Sequence, residues 1–168
     1  MSTEFKDWYN DFSEEQKENY NLCMKYPILV PHNCFTGKEV DDFDYICTEL
    51  DAMPGGWRKA FGEQWAKEIQ EAVNKIPEPD RSKIFIMQLK EKYGIFTQYL
   101  NYYNDDLREI IRKYEQLSKH TCIQCGAPAT KVSTSWISPW CDECSESIQD
   151  VFVDVEDYWK EWEERDND

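Results

Sequence analysis

The chain has 168 residues, a formal net charge of −15, 40% hydrophobic and 15% aromatic residues. That length fits one domain, or one domain with a small satellite, and seven Trp, ten Tyr and eight Phe exclude a disordered chain. The acidity counts against a free nucleic-acid binder, which presents a basic face, and no run approaches the roughly 18–20 apolar residues that span a bilayer.

In chain order, Ser13-Glu14-Glu15-Gln16 has the form of a capping box and predicts a helix to about Lys25, stopped by Pro27. A short apolar run, Ile28 to Val30, and a turn at Thr36-Gly37-Lys38 follow. Met53-Pro54-Gly55-Gly56 is a breaker. After it Trp57, Phe61, Trp65, Ile69, Ala72, Val73 and Ile76 recur at three and four, the stripe of a buried helix face. Pro77 and Pro79 end it. Lys83 to Lys90 reads as a strand apolar on both faces. Gly94 makes a turn, and Ile95 to Tyr103 reads as a second strand pairing with the first. Asn104 or Asp105 is a good N-cap for a helix with Leu107, Ile110, Ile111, Tyr114 and Leu117 on its buried stripe. Beyond Cys144, Ser147 to Glu164 reads as a helix with an apolar face of Ile148, Val151, Val155, Trp159 and Trp162.

The fold class expected is therefore α+β: helices packed on a small antiparallel hairpin, a four-cysteine zinc ribbon, and an acidic C-terminal helix. The division is 1–120 for the core with its acidic N-terminal helical region, 121–146 for the ribbon and 147–168 for the helix.

The strongest motif is Cys122-x2-Cys125 and Cys141-x2-Cys144 with fifteen residues between the pairs, the spacing of a zinc site. Two residues between cysteines let one tight turn aim both sulfurs inward, and Gly126 eases that turn by tolerating positive φ. Four thiolates complete a tetrahedron and leave no position for a substrate water, so Zn²⁺ is expected as a structural ion. Iron suits the same ligands. A zinc deaminase needs H-x-E before P-C-x-x-C, which is absent. Trp136 and Trp140 are expected to cover the knuckles. Lys131 is the one base between Thr121 and Glu146, a poor equipment for phosphate.

Other clusters are weaker. His32, Cys34, Cys47 and Cys23 have no knuckle spacing, and Asp41, Asp42 and Asp44 lack the register of a calcium loop. His120 suits the negative end of the preceding helix. No Gly-rich phosphate loop, nucleophile elbow or H-E-x-x-H is present, so no enzyme is expected. The N-terminal stretch is polar where a signal peptide is apolar, and seven cysteines inside a cell mean metal or free thiols.

Charge is concentrated at the ends. Residues 150–168 hold nine acids and two bases. Asp150, Asp154, Asp157, Glu161 and Glu164 recur at three and four, so in a continuous helix they line one face and form a candidate partner-binding surface.

Tyr26-Pro27, Gly56-Trp57, Lys90-Glu91-Lys92-Tyr93-Gly94 and the paired knuckles stand in an order that resembles a family of small zinc-ribbon proteins of bacteriophages and prophages. The likeness covers about residues 22–146. The family's Gly-Asp-Gly-Trp reads Pro54-Gly55-Gly56-Trp57 here. The resemblance implies an accessory protein acting in the cytoplasm of a bacterial host. With the acidic ends, the expected role is an interaction protein that inhibits a host nuclease or immune effector, as a mimic of DNA. The alternatives are a nucleic-acid-binding regulator using the ribbon, and a nucleotide-binding or sequestering protein.

Overall fold

The computed structural model describes residues 8–166; the polar stretch 1–7 and the last two residues of the expected 147–168 helix lie outside them. The architecture is α+β, with helices on a two-stranded hairpin and a second, three-stranded sheet beside the cysteines.

Helix α1 (Glu14–Lys25) starts as its sequence requires. Gln16 N–H donates to Ser13 Oγ at 3.1 Å and Ser13 N–H to Gln16 Oε1 at 3.0 Å, so orphan amides of the first turn are satisfied. Pro27 has no N–H to continue the ladder, and the chain moves into a 3₁₀ turn, Pro27–Leu29. The buried Asn19 side chain donates to the carbonyls of Tyr45 and Ile46 at 2.9 and 3.2 Å, which ties the irregular loop onto α1.

The second helix opens at Gly55–Trp57, is wound as a π-helix over Arg58–Gly62, and continues as α2 (Glu63–Asn74). The π segment has a reason in the sequence. Trp57, Phe61 and Trp65 are four apart, and each step of four overshoots a 3.6-residue turn by about 40°. Widening one turn absorbs the overshoot, and all three rings are buried at 0–4% exposure. Ile69, Ala72, Val73 and Ile76 extend the same buried stripe.

Strands β1 (Ile86–Lys92) and β2 (Ile95–Leu100) form the expected antiparallel hairpin. Its connection is two residues, Tyr93 and Gly94, at φ +52° and +75°, the left-handed pair that matches strand twist. Strand β1 starts later than expected, behind a 3₁₀ turn at Arg81–Lys83, and it is not apolar on both faces. Met87 and Gln88 are exposed. The register shifts between Ile86 and Gln88, and that bulge turns both Ile86 and Leu89 inward although they are three apart. Strand β2 alternates, with Phe96, Gln98 and Leu100 buried, and it stops at Leu100 rather than Tyr103. Buried Gln98 is satisfied by Trp65 Nε1–H at 2.6 Å.

Helix α3 (Asp105–Lys119) is capped by Asn104, whose Oδ1 accepts from Leu107 N–H at 2.9 Å. Leu107, Ile111 and Tyr114 are buried as expected. Leu117 is exposed, and the last turn buries Ser118 and Lys119 instead. Helices α2 and α3 and the hairpin enclose one apolar cluster running from Cys23 to Tyr114.

The rest of the chain makes a smaller lobe. Strands β3 (Lys131–Ser133) and β4 (Ser138–Trp140) pair, a short helix α4 (Asp142–Ser145) follows, and β5 (Phe152–Asp154) pairs with the other side of β3. Helix α5 (Val155–Asp166) then packs Val155 and Trp159 on Ala129 and Val132. This corrects the expected helix from Ser147. Residues 152–154 are a strand, the helix begins at Val155, and Ile148 and Val151 are exposed rather than on its buried face. Among the described residues no helix is long and apolar enough to cross a membrane.

Candidate metal centre

The first cysteine pair lies in the loop that leaves α3; in the second, Cys141 caps α4 and Cys144 lies within it. In the first, Gly126 N–H donates to Cys122 C=O at 3.0 Å and Cys122 N–H to Ala127 C=O at 2.7 Å, which folds the loop back on itself. Gly126 has φ +82°, as the turn demands. In the second, Cys144 N–H points at Cys141 Sγ at 3.4 Å and Ser145 N–H bonds Cys141 C=O at 3.0 Å.

All four sulfurs lie within 4.8 Å of one another. Cys125 Sγ and Cys141 Sγ are 3.7 Å apart. A disulfide needs about 2.05 Å, whereas the edge of a tetrahedron with metal–sulfur bonds of about 2.3 Å is about 3.8 Å. The spacing is that of ligands around an ion. Cys122 and Cys141 are buried, and Cys125 and Cys144 half-buried.

The protonation chemistry agrees. Burial works against ionising Cys122, yet backbone N–H groups of the knuckles outweigh it and bring its thiol down to about 7. Cys144 is pushed up, first by its side-chain hydrogen bonds to Cys141 and Cys125. Cys122 ionises readily, and Cys141 and Cys144 resist. A cation held by these four sulfurs would remove that resistance, because it would take them as thiolates.

The cluster is fastened to the main core at Gly56 and Trp57. Gly56 N–H donates to Ile123 C=O at 2.9 Å, and Trp57 Nε1–H to Thr121 C=O at 2.9 Å. A Cβ on Gly56 would run into the carbonyls of Cys122 and Ile123, and one on Gly126 would meet Gly56 O at 2.6 Å. On the far side, Trp159 Nε1–H donates to Lys119 C=O at 3.0 Å, and Lys119 Nζ lies 5.2 Å from the Trp159 ring centroid. The end of α3 and helix α5 are thus joined through Trp159.

Cys122, Cys125, Cys141 and Cys144 are brought together as expected, and among the described residues they are the group able to hold a metal ion. His120 is not part of it. It is the C-cap of α3, with Nδ1 3.3 Å from Glu156 Oε1. Cys23 is buried in the core, while Cys34 and Cys47 are exposed. His32 stacks on Phe85 at 5.3 Å between centroids. Trp136 does not cover the knuckles: it is 74% exposed at the β3–β4 turn. Trp140 is half-buried, and its Nε1–H donates to Ser133 Oγ.

The expected acidic face is divided. Asp157, Glu161 and Glu164 stand exposed on α5. Asp150 and Asp154 precede the helix and serve its backbone surroundings. Asp150 Oδ1 accepts from Ser135 and Val151 N–H, and Asp154 Oδ1 accepts from Glu156 N–H at 2.9 Å as the cap of α5. Two groups had no signal in the sequence. Lys119 is buried at 5% exposure, with Glu163 3.8 Å away. Burial raises the Glu49 carboxyl to about 7, against a backbone N–H from His32 that lowers it.

No protein-family model, curated protein or solved structure matches the chain.

Proposed function

We propose that the four cysteines hold zinc as a structural ion and that the protein is a non-enzymatic interaction protein. Its acidic lobe docks on the basic surface of another protein. In line with the phage resemblance, that partner is a nucleic-acid-processing or immune protein of a bacterial host, met in the cytoplasm, whose phosphate-binding groove the carboxylates occupy as a mimic of DNA.

The sulfur-only donor set and the 3.7 Å sulfur spacing suit a tetrahedral ion such as zinc, and four ligands close the coordination sphere. When bound, the ion supplies cross-linking and no chemistry on a substrate. What carries the docking reading is the fixing of an acidic surface on a rigid support. Residues 121–166 contain eleven acidic and three basic residues. Of the three bases, Lys131 is paired with Asp142 at 3.1 Å, which leaves little to meet a phosphate. Asp157, Glu161 and Glu164 project from a helix that Trp159 locks in place. Fixed carboxylates speed encounter with a cationic surface and select against anionic ones.

Metal analysis of the purified protein should give one zinc per chain; iron instead would correct the metal. Binding to a panel of purified cationic bacterial nucleases tests the docking. The variant combining Asp157→Lys, Glu161→Lys and Glu164→Lys should bind at least tenfold more weakly at the same salt. Equal binding by that variant, or binding of the wild type to none of the panel, would refute the reading.

A further inference from the structure

Two of the most exposed aromatic side chains occupy the tips of two hairpins. Tyr93 in the β1–β2 turn is 58% exposed and Trp136 in the β3–β4 turn is 74% exposed. Together with Glu91, Lys92, Ser135 and Ile137 they line one cleft of about 390 Å³. The hairpins are packed against each other next to it. A Cβ on Gly94 would stand 3.3 Å from Ile137 Cγ2 and 3.4 Å from Trp159 Cη2, so this glycine lets the two tips close together. The cleft belongs to the junction of the two lobes and is held open by the fold.

Neither aromatic ring is explained by the turn that carries it. Tyr93 has φ +52°, a conformation costly for a bulky side chain, and two-residue hairpin turns fill it with Asn, Asp or Gly. Its ring centroid is 6.5 Å from that of Trp162, yet most of the residue stays in water. A strained position kept for an exposed aromatic points to function. The Trp136 turn is closed without its ring. Ser133 Oγ donates to Trp136 C=O, Thr134 N–H to Val151 C=O at 3.0 Å, and Ser135 N–H to Asp150 Oδ1 at 3.1 Å.

The charges choose among ligands. Glu91 and Lys92 lie on the cleft wall; Glu91 Oε1 accepts from Gly94 N–H at 2.6 Å, which fixes its carboxylate beside the Tyr93 turn. Lys92 Nζ lies 5.8 Å from the Tyr93 ring centroid, on a long side chain that an incoming cation can displace toward solvent. The surrounding lobe is strongly acidic, which repels a phosphate-bearing ligand and draws in a basic one. A guanidinium fits better than an ammonium, since it stacks flat on Trp and Tyr and forks onto a carboxylate.

We propose that the cleft between the Tyr93 and Trp136 turns is a docking site for an arginine-bearing basic segment of a partner protein, whose guanidinium stacks on these rings beside Glu91. This rests on the docking function proposed above and names its anchoring point.

The test uses the full, metal-loaded chain and a fluorescent peptide of alternating arginine and glycine, followed by anisotropy. A lysine–glycine peptide and a single-stranded oligonucleotide serve as comparison probes. The arginine peptide should bind tightest. Trp136→Ala and Tyr93→Gly should each weaken it at least tenfold with an unchanged or higher melting temperature, since one side chain is exposed and the other change relieves the backbone. Trp136→Leu, which keeps apolar bulk without a ring, should weaken it as much as Trp136→Ala. No binding, unchanged binding by the cleft variants, full rescue by leucine, or preference for the oligonucleotide would each overturn the proposal. The α5 charge-reversed variant separates the two ideas. Loss in that variant alone retains the acidic-helix reading and removes the cleft; loss in the cleft variants alone does the reverse.

Discussion

The two lobes solve the problem of stability differently. The main lobe encloses a continuous apolar cluster that includes Trp57, Trp65, Phe96 and Tyr114, and its helices are tied by ion pairs such as Lys113 with Glu68 at 2.7 Å. Among the described residues the ribbon lobe buries Ala129, Val132, Val155 and Trp159 as its own apolar cluster, and it carries the larger share of the net negative charge. So small a core cannot hold three short strands and a charged helix together, and a metal staple is the usual remedy. The lobe with the smaller apolar core is thus the one that holds the four clustered cysteines.

The sharpest way to break this comparison is to remove a ligand. Cys122→Ser, or a chelator on the wild type, should abolish stoichiometric metal and destabilise the ribbon lobe by several kcal/mol. Thermal melting followed by circular dichroism should then show the main lobe melting separately and later. A single transition at the original temperature would mean the staple is unnecessary. Next in size, Trp159→Ala should cost about 3–5 kcal/mol, as removal of a buried aromatic does, and should release α5 while leaving metal content intact. Hydrogen exchange across 155–166 checks this.

Gly56→Ala tests whether the lobes are separate at all. The added methyl would collide with the carbonyls of Cys122 and Ile123, and overpacking of this kind costs about 1–3 kcal/mol. Metal affinity, measured by competition with a chromophoric chelator, and main-lobe stability should fall together. If only one falls, the Gly56 contact is not a shared joint.

The smallest effect is a contrast in pH dependence. Glu49 belongs to the main lobe, and its carboxyl is raised by burial from 4.5 to about 7. Between those values the folded chain holds a proton that the unfolded chain has lost, so main-lobe stability falls as pH rises through this window. Glu49→Gln should flatten that slope and raise stability at pH 8 by about 1 kcal/mol, allowing for the group's partial exposure. The ribbon lobe should respond in the opposite sense, since thiolate ligands are protonated as pH falls. Denaturant melts from pH 5 to pH 8 with a probe on each lobe distinguish the two slopes.

The elements legible in the sequence were those with a local cause. The Ser13–Gln16 box, the stripe from Trp57 to Ile76, the Asn104 cap and the cysteine spacing each lie within a few turns of chain, and each is in the fold. What escaped is long-range. Phe152 to Asp154 reads as helix in the sequence because the acids and apolar residues around it recur at three and four. Its pairing with Lys131 to Ser133 has no local trace in so short a strand. The bulge that hides both Ile86 and Leu89 depends on the core behind it. An apolar ribbon tryptophan is expected to cover the knuckles, while the β3–β4 turn carries Trp136 outward. The candidate site was legible in its ligands, but its seat on Gly56 was not, since a close approach is visible only once both partners are folded.

That seat gives the molecule a natural reporter. The helix that opens at Gly55 has no side-chain cap, and the amide of Gly56 finds its acceptor across the lobe boundary at Ile123. Its proton therefore trades with deuterated solvent only when the knuckle lifts away. One amide resonance thus records the opening of the ribbon lobe at its seat rather than as a bulk melt, without a label and without touching a cysteine.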